Sequence, residues 1–170
     1  IKIDKNSGII EVLSGEMLPT LARKAAASGL HGLEWAVGIP GTIGGAVVMN
    51  AGAQENCLSK YLESITTLSL TGEYKIIKGK DLNFGYRYSR LQNERLIVIS
   101  ARLKLMFGHA EHIRQVTNEN LNHRLQTQPY KAQTCGSVFR NPEPLKAAKL
   151  IEELGLKGFR FGGAEISEKH

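Results

Sequence analysis

Apolar and charged residues alternate at the start of the chain, Ile1 and Ile3 in IKIDK and then Ile9, Ile10 and Val12 in GIIEVL, which predicts two short strands. The period then changes. In LPTLARKAAASG, Leu18, Leu21, Ala22, Ala25 and Ala26 fall on one helical face, with Pro19 in the first turn and Gly29 at the stop. YLESITTLSLTGEYKIIKG predicts two strands around Thr71-Gly72, DLNFGYRYSRLQN a turn or loop, and ERLIVISARLKLMF a long strand ending near Phe107. Beyond Gly108, Ile113, Val116, Leu121 and Leu125 recur at helical spacing as far as Pro129. After the loop PYKAQTCGSVFRNPEP, the run PLKAAKLIEELG predicts a helix with Pro144 in its first turn, Leu145, Ala148, Ile151 and Leu154 facing inward, and Gly155 ending it. The expected organisation is a small α+β unit over residues 1–107 followed by a second region, 108–170, with no internal repeat. Because the chain opens inside a strand pattern and stops at GGAEISEKH without finishing an element, it reads as part of a longer protein.

Between the first helix and the middle strands lies GIPGTIGGAVVMNAGAQ, residues 38–54, with glycines at 38, 41, 44, 45 and 52. Glycine permits positive φ and removes Cβ atoms, so backbone N–H groups in such a run can converge on an anion. Pro40 fixes one dihedral, Thr42 adds a hydroxyl, and Asn50 can bond backbone or ligand. The same glycines equally suit a turn that needs only close backbone contacts. Spacing does not decide, because the run is neither GxGxxG nor GxxxxGK[ST].

Composition narrows the choice. With 170 residues and 42% hydrophobic content, the chain is long enough to bury a substantial core. No apolar run reaches the length of a membrane span and the first residues lack the order of a signal peptide, so a soluble, cytoplasmic protein is expected. A net charge of +6 carried by dispersed Lys and Arg suits an anionic small molecule, whereas the lack of a basic run argues against nucleic acid. Cys57 and Cys135 are far apart and form no CxxC or Cys/His pattern, and His109, His112, His123 and His170 show no ligand spacing, so no metal is expected.

Four blocks in order, WAVGIPGTIGGAVVMNAGAQ, FGYRYSR, TCGSVFRNP and LIEELGLKGFRFGGAEISEKH, resemble the UDP-N-acetylenolpyruvoylglucosamine reductase family of bacterial cell-wall synthesis. The resemblance implies the FAD-binding subdomain of the two-subdomain flavoprotein fold (vanillyl-alcohol-oxidase/PCMH-like) over 1–107, the second FAD-binding subdomain with the first absent. Part of an α+β substrate-binding subdomain, truncated, follows over 108–170. The chain would then be a central stretch of the enzyme, inactive by itself, with the family's catalytic glutamate beyond residue 170. The implied cofactor is FAD, with NADPH as co-substrate and UDP-N-acetylglucosamine enolpyruvate as substrate; no membrane, nucleic acid or obligatory protein partner is implied.

Carried over by residue, the resemblance assigns Gly38, Ile39, Pro40, Gly41, Thr42, Gly44 and Gly45, with Asn50, Ala51 and Gly52, to the FAD diphosphate and adjoining flavin. Its YR(x)S block makes Arg87 catalytic, its GS(x)F block makes Ser137 the proton donor, and Arg124, Gln128 and Asn141 match substrate-contacting positions. The residue types fit. A guanidinium can grip a carboxylate through two parallel bonds and stabilise enolate-like charge, and a hydroxyl can hand over a proton in a site that holds its alkoxide. Taken alone, Arg87 is a solvated loop arginine and Ser137 a turn serine. Tyr86 and Tyr88, alternating with Arg87, predict a strand-like segment with the arginine on the opposite side. Room for one helix only between Phe107 and Gln128 points to the second type of the family. Another FAD oxidoreductase of the same fold, or a non-catalytic nucleotide-diphosphate module, remains an alternative.

Overall fold

Antiparallel pairing organises the first unit. The computed structural model describes residues 1–129 and 132–169, so His170 and the loop positions 130 and 131 lie outside the described residues. Strands β1 (Lys2–Asp4), β2 (Ile9–Leu13), β6 (Leu62–Ser69), β7 (Tyr74–Lys78) and β8 (Leu96–Lys104) form one sheet in the order β1-β2-β8-β6-β7, every neighbouring pair antiparallel. The long last strand thus inserts between elements distant in sequence, Ile10 facing Leu103 on one side and Ile65 facing Ala101 on the other. At Leu105 it breaks, and β9 (Met106–Phe107) pairs instead with β3 (Leu30–His31).

Helix α1 (Leu18–Ala27) buries the five residues its period predicts. Gly29, at φ +70, ends it. Against one sheet face, Leu18, Leu21, Ala22 and Ala25 join Ile43 and Val47 of the short helix α2 (Ile43–Val48), together with Ile10, Ile65, Ala101 and Leu103. Each fully buried Leu, Ile or Val of this cluster contributes roughly 1.5–3 kcal/mol relative to exposure, so this shared core fixes α2 firmly on the sheet.

A two-residue turn connects β4 (Gly52–Ala53) to β5 (Asn56–Cys57), with Gln54 and Glu55 at φ 51 and 61. Both signs suit the right-handed twist of a tight hairpin, although neither residue is a usual occupant.

Packing divides the chain after Leu121, within α3 (Ala110–Thr127). This single helix buries Ile113 and Thr117 in the first unit, and Leu121 packs against its core. Thr117 tolerates burial because its hydroxyl donates to the Ile113 carbonyl at 2.7 Å. Leu125 is exposed.

The second unit, from Asn122 onward, corrects the expected last helix. Helix α4 spans Ala147–Glu153, leaving Pro144 outside its first turn and burying none of its residues; Leu145, Ala148 and Leu154 are exposed and Ile151 is only half-buried. The Asn141 carboxamide oxygen accepts the Ala147 N–H at 3.1 Å, which supplies a partner for a first-turn donor and favours the later start. Gly155, at φ +65, ends the helix as expected. A hairpin of β10 (Arg160–Phe161) and β11 (Ala164–Glu165) follows, turning at Gly162-Gly163.

Candidate functional site

The glycine-rich run begins from a rigid corner. Glu34 is buried, and its carboxylate accepts the Gly32 N–H at 2.9 Å and lies 2.8 Å from His31 Nδ1; the Trp35 indole donates to the Gly32 carbonyl at 2.8 Å. The Tyr61 ring closes the open side of Gly32, where a Cβ would sit 2.6 Å from Cε1. Burial first, and the Glu34 charge second, push the Tyr61 phenol above its ordinary 10.0.

Chain then emerges to the surface: Gly38 is buried, Ile39 half-buried, and Pro40, Gly41 and Thr42 are exposed. Thr42 bridges Met17, Leu18 donating to the Gly41 carbonyl at 3.0 Å and Ile43 to that of Glu16 at 2.9 Å. Gly44 donates to the Ser14 carbonyl at 2.9 Å, and Gly45 to Thr42 Oγ1, the cap of α2, at 3.4 Å. The amides of Ile43, Gly44 and Gly45 therefore serve the fold rather than pointing unpartnered at an anion.

What the glycines offer differs by position. A Cβ at Gly44 would stand 3.1 Å from Ser14 Cβ, and one at Gly52 would run into the Asn56 carbonyl and Cys57, so these two permit close packing. At Gly41, which needs glycine at φ +129, a Cβ would meet nothing within 4 Å; at Gly45 it would meet only Thr42 Oγ1, at 3.7 Å. These two positions present bare backbone beside exposed Pro40 and Thr42. Residues 38–52 carry no carboxylate of their own. This surface fits a ligand that must approach the main chain closely.

Arg87 is tied to the far end of the same run. Gly85 and Tyr88 exchange backbone hydrogen bonds at 3.0 and 3.2 Å around Tyr86-Arg87, so the segment is a tight turn, as the turn-or-loop reading of DLNFGYRYSRLQN expects, and not the strand-like piece that the alternation of Tyr86 and Tyr88 with Arg87 suggests. Arg87 occupies the left-handed region at φ +54, a conformation costing an L-residue roughly 1–2 kcal/mol. Half-buried, its guanidinium donates from Nη2 to the Gly52 carbonyl at 2.6 Å, and its Cζ lies 5.1 Å from the centre of the exposed Tyr86 ring.

Three further side chains cross between the two segments. Asn50, buried and at φ +43, donates from Nδ2 to the Gly85 carbonyl at 2.9 Å and accepts the Ser59 N–H at 3.1 Å. Its amide therefore braces backbone, the first of the two options its sequence position allowed. Fully buried Ser89 donates to the Val48 carbonyl at 2.7 Å, and Gln92 Nε2 lies 3.2 Å from that carbonyl and 3.1 Å from that of Arg87. Sequence reading singled out neither residue: Ser89 sat unassigned within the YRYS block, and Gln92 carried no signal.

The other predicted residues fall in the second unit. Arg124 and Gln128 are half-buried at the end of α3, one turn apart, with Gln128 N–H donating to the Arg124 carbonyl at 3.0 Å. Ser137 is exposed in a stretch without regular structure, following Gly136 at φ +73, whose N–H donates to Thr134 Oγ1 at 3.1 Å. Asn141 contributes the oxygen that receives the first α4 donor. Among the described residues no group of three or more His, Cys, Asp or Glu side chains could hold a metal ion, and no helix is long and apolar enough to cross a membrane. Cys57 and Cys135 are free thiols.

Residues 1–77 match the family model of an FAD binding domain, and residues 128–170 match that of the UDP-N-acetylenolpyruvoylglucosamine reductase C-terminal domain. A UDP-N-acetylenolpyruvoylglucosamine reductase from Prochlorococcus marinus (strain NATL2A) is 88% identical over 170 residues, a match covering 100% of this chain and 58% of that protein. Over its whole length the chain is similar to UDP-N-acetylenolpyruvoylglucosamine reductases.

A second reductase of the family, from Synechococcus sp. (strain CC9605), is 56% identical over 172 residues, covering 100% of this chain and 57% of its own length. The crystal structure of the Thermus caldophilus reductase superposes with a TM-score of 0.87 at 38% identity, covering 99% of this chain and 61% of that one. The chain thus spans somewhat more than half the length of its reductase relatives, and its α+β architecture is the FAD-binding fold. The bare glycines lie within the stretch matched to the FAD binding domain, Ser137 and Asn141 lie within the reductase C-terminal match, and Arg87 falls between the two.

Proposed function

We propose that the whole protein is a cytoplasmic NADPH-dependent flavoenzyme that reduces UDP-N-acetylglucosamine enolpyruvate to UDP-N-acetylmuramate for peptidoglycan synthesis. The observation that carries this reading is the juncture of Arg87 with the glycine-rich run: a guanidinium bonded to Gly52, on the segment whose bare face at Gly41 and Gly45 suits a diphosphate.

Residues 38–45, with Asn50, Ala51 and Gly52, would hold FAD. Gly41 and Gly45 would admit it to the main chain, while Gly44, Gly52 and the amide of Asn50 keep that chain in shape. When bound, FAD supplies hydride that originates from NADPH. Arg87 engages the substrate carboxylate: one of its five N–H donors is occupied by Gly52, leaving the planar fork able to make paired bonds. In a half-buried setting those bonds stabilise the negative charge that develops beside the carboxylate after hydride addition to the terminal carbon. Ser137 then donates a proton to the carbon bearing the carboxylate. Arg124, Gln128 and Asn141 serve the substrate wall, Asn141 with its oxygen already engaged by α4.

An anaerobic absorbance experiment on the full-length protein tests this. Bleaching of bound FAD by NADPH, followed by its recovery when UDP-N-acetylglucosamine enolpyruvate is added, is expected. Bleaching without recovery would favour an oxidoreductase of the same fold with another substrate, and failure to bind flavin would overturn the reading.

A further inference from the structure

We propose that Gln92 is a positioning residue for Arg87, locking the arginine's turn to the C-terminal end of α2. This deepens the functional reading above and rests on it.

The two hydrogens of the Gln92 amide nitrogen are matched to two carbonyls, that of Val48 at 3.2 Å and that of Arg87 itself at 3.1 Å, with Met49 Sδ at 3.7 Å beyond them. Val48 is the last residue of α2, where carbonyls lack partners along the helix. The following amides go elsewhere, Met49 to Gly45, Asn50 to Val47 and Ala51 to Ala46. The Val48 oxygen is therefore open to side chains from outside, and both it receives come from one short turn: Ser89 at 2.7 Å and Gln92. Residues Arg90–Asn93 form a 3₁₀ turn whose N-cap is Ser89, so the turn carries both donors, one just before its start and one inside it.

The second bond lands on the carbonyl of a residue in the left-handed region. Such a conformation persists only where its surroundings over-determine it. Gln92 thus joins the strained residue to α2, which begins at the bare Gly41 to Gly45 surface and is held by the core. Arg87 is placed relative to the cofactor surface through the Val48 and Arg87 carbonyls, independently of its own Gly52 bond.

Gln92→Met keeps the length and removes both donors. In the full-length enzyme, flavin content and the rate of flavin reduction by NADPH should stay within about twofold, while reoxidation by UDP-N-acetylglucosamine enolpyruvate slows by about 10- to 100-fold, the scale of a displacement near 1 Å. Gln92→Glu, nearly isosteric but presenting a carboxylate to two carbonyl oxygens, should slow it further. The deciding measurement is the same substitution in an Arg87→Ala background, where it should add almost nothing because the residue it positions is gone. Full additivity there, or an unaltered rate in Gln92→Met alone, would overturn the positioning role while leaving that of Arg87 standing. Wild-type reoxidation in Arg87→Ala would overturn both.

Discussion

Gly45→Ala separates a cofactor surface from a packing glycine. Gly45 lies within α2 outside the positive-φ region, and the new methyl would touch only Thr42 Oγ1, at 3.7 Å, an ordinary contact. Replacing glycine where alanine fits without strain stabilises a protein by about 0.4–1 kcal/mol, chiefly by restricting the unfolded chain. For a chain of this size or somewhat larger, that corresponds to a rise in Tm of roughly 1–3 °C. The same methyl would occupy the surface proposed for the diphosphate. If the bound cofactor cannot move aside, overpacking costs about 1–3 kcal/mol, or roughly 5- to 150-fold in FAD affinity. The assay pairs the Tm of the flavin-free full-length protein with FAD titration monitored by absorbance. A more stable apoprotein with weaker FAD binding is expected. Raised stability with unchanged affinity, repeated for the bulkier Gly45→Val, would refute the reasoning, because bare backbone would then have no bearing on the cofactor.

Gly52→Ala should behave in the opposite way: its methyl meets the Asn56 carbonyl and Cys57, so a loss of about 1–3 kcal/mol by denaturant unfolding is expected, together with slower reoxidation by substrate as the Gly52 oxygen shifts from Arg87. Ser137→Ala should leave flavin reduction by NADPH nearly intact and slow reoxidation by orders of magnitude, since only protonation loses its donor; equal losses in both half-reactions would count against that role. Tyr61 predicts an alkaline limit. Its folded-state value is raised, so the fold retains that proton better than the unfolded chain, and the contribution is complete below the ordinary 10.0 and lost as pH rises through the raised value. Tyr61→Phe should therefore flatten the fall of Tm above pH 10, and an unchanged slope would contradict it.

Much of this protein was written into local sequence. The five apolar positions of α1 and the strands around Thr71-Gly72 follow from periodicity and from residues with restricted or permissive backbones, which act within a few positions of themselves. The order of blocks from Trp35 to the last residues was enough to indicate the family. Hairpins whose turns carry unlikely residues were not legible: Gln54-Glu55 has no local preference for two positive φ angles, and the pairing of Gly52 with Cys57 and of Ala53 with Asn56 imposes them. The last helix was overextended because an apolar period marks a face without naming a partner for it, and within the second unit α4 buries none of its residues.

The site divides along the same line. Which residue types could hold an anion, grip a carboxylate or donate a proton is a property of side-chain chemistry and is readable from the blocks. Which glycines are bare and which are packed depends on atoms such as Ser14 and Asn56 that the fold brings against them. The bonds from Ser89 and Gln92 to Val48 span more than forty residues, and nothing in their local sequence encodes that reach. Sequence by itself determined the chemical vocabulary and the local elements. Tertiary structure alone decided that the arginine turn and the glycine-rich helix form one braced piece, because a carbonyl left open at a helix end takes whichever donors the packed core delivers to it.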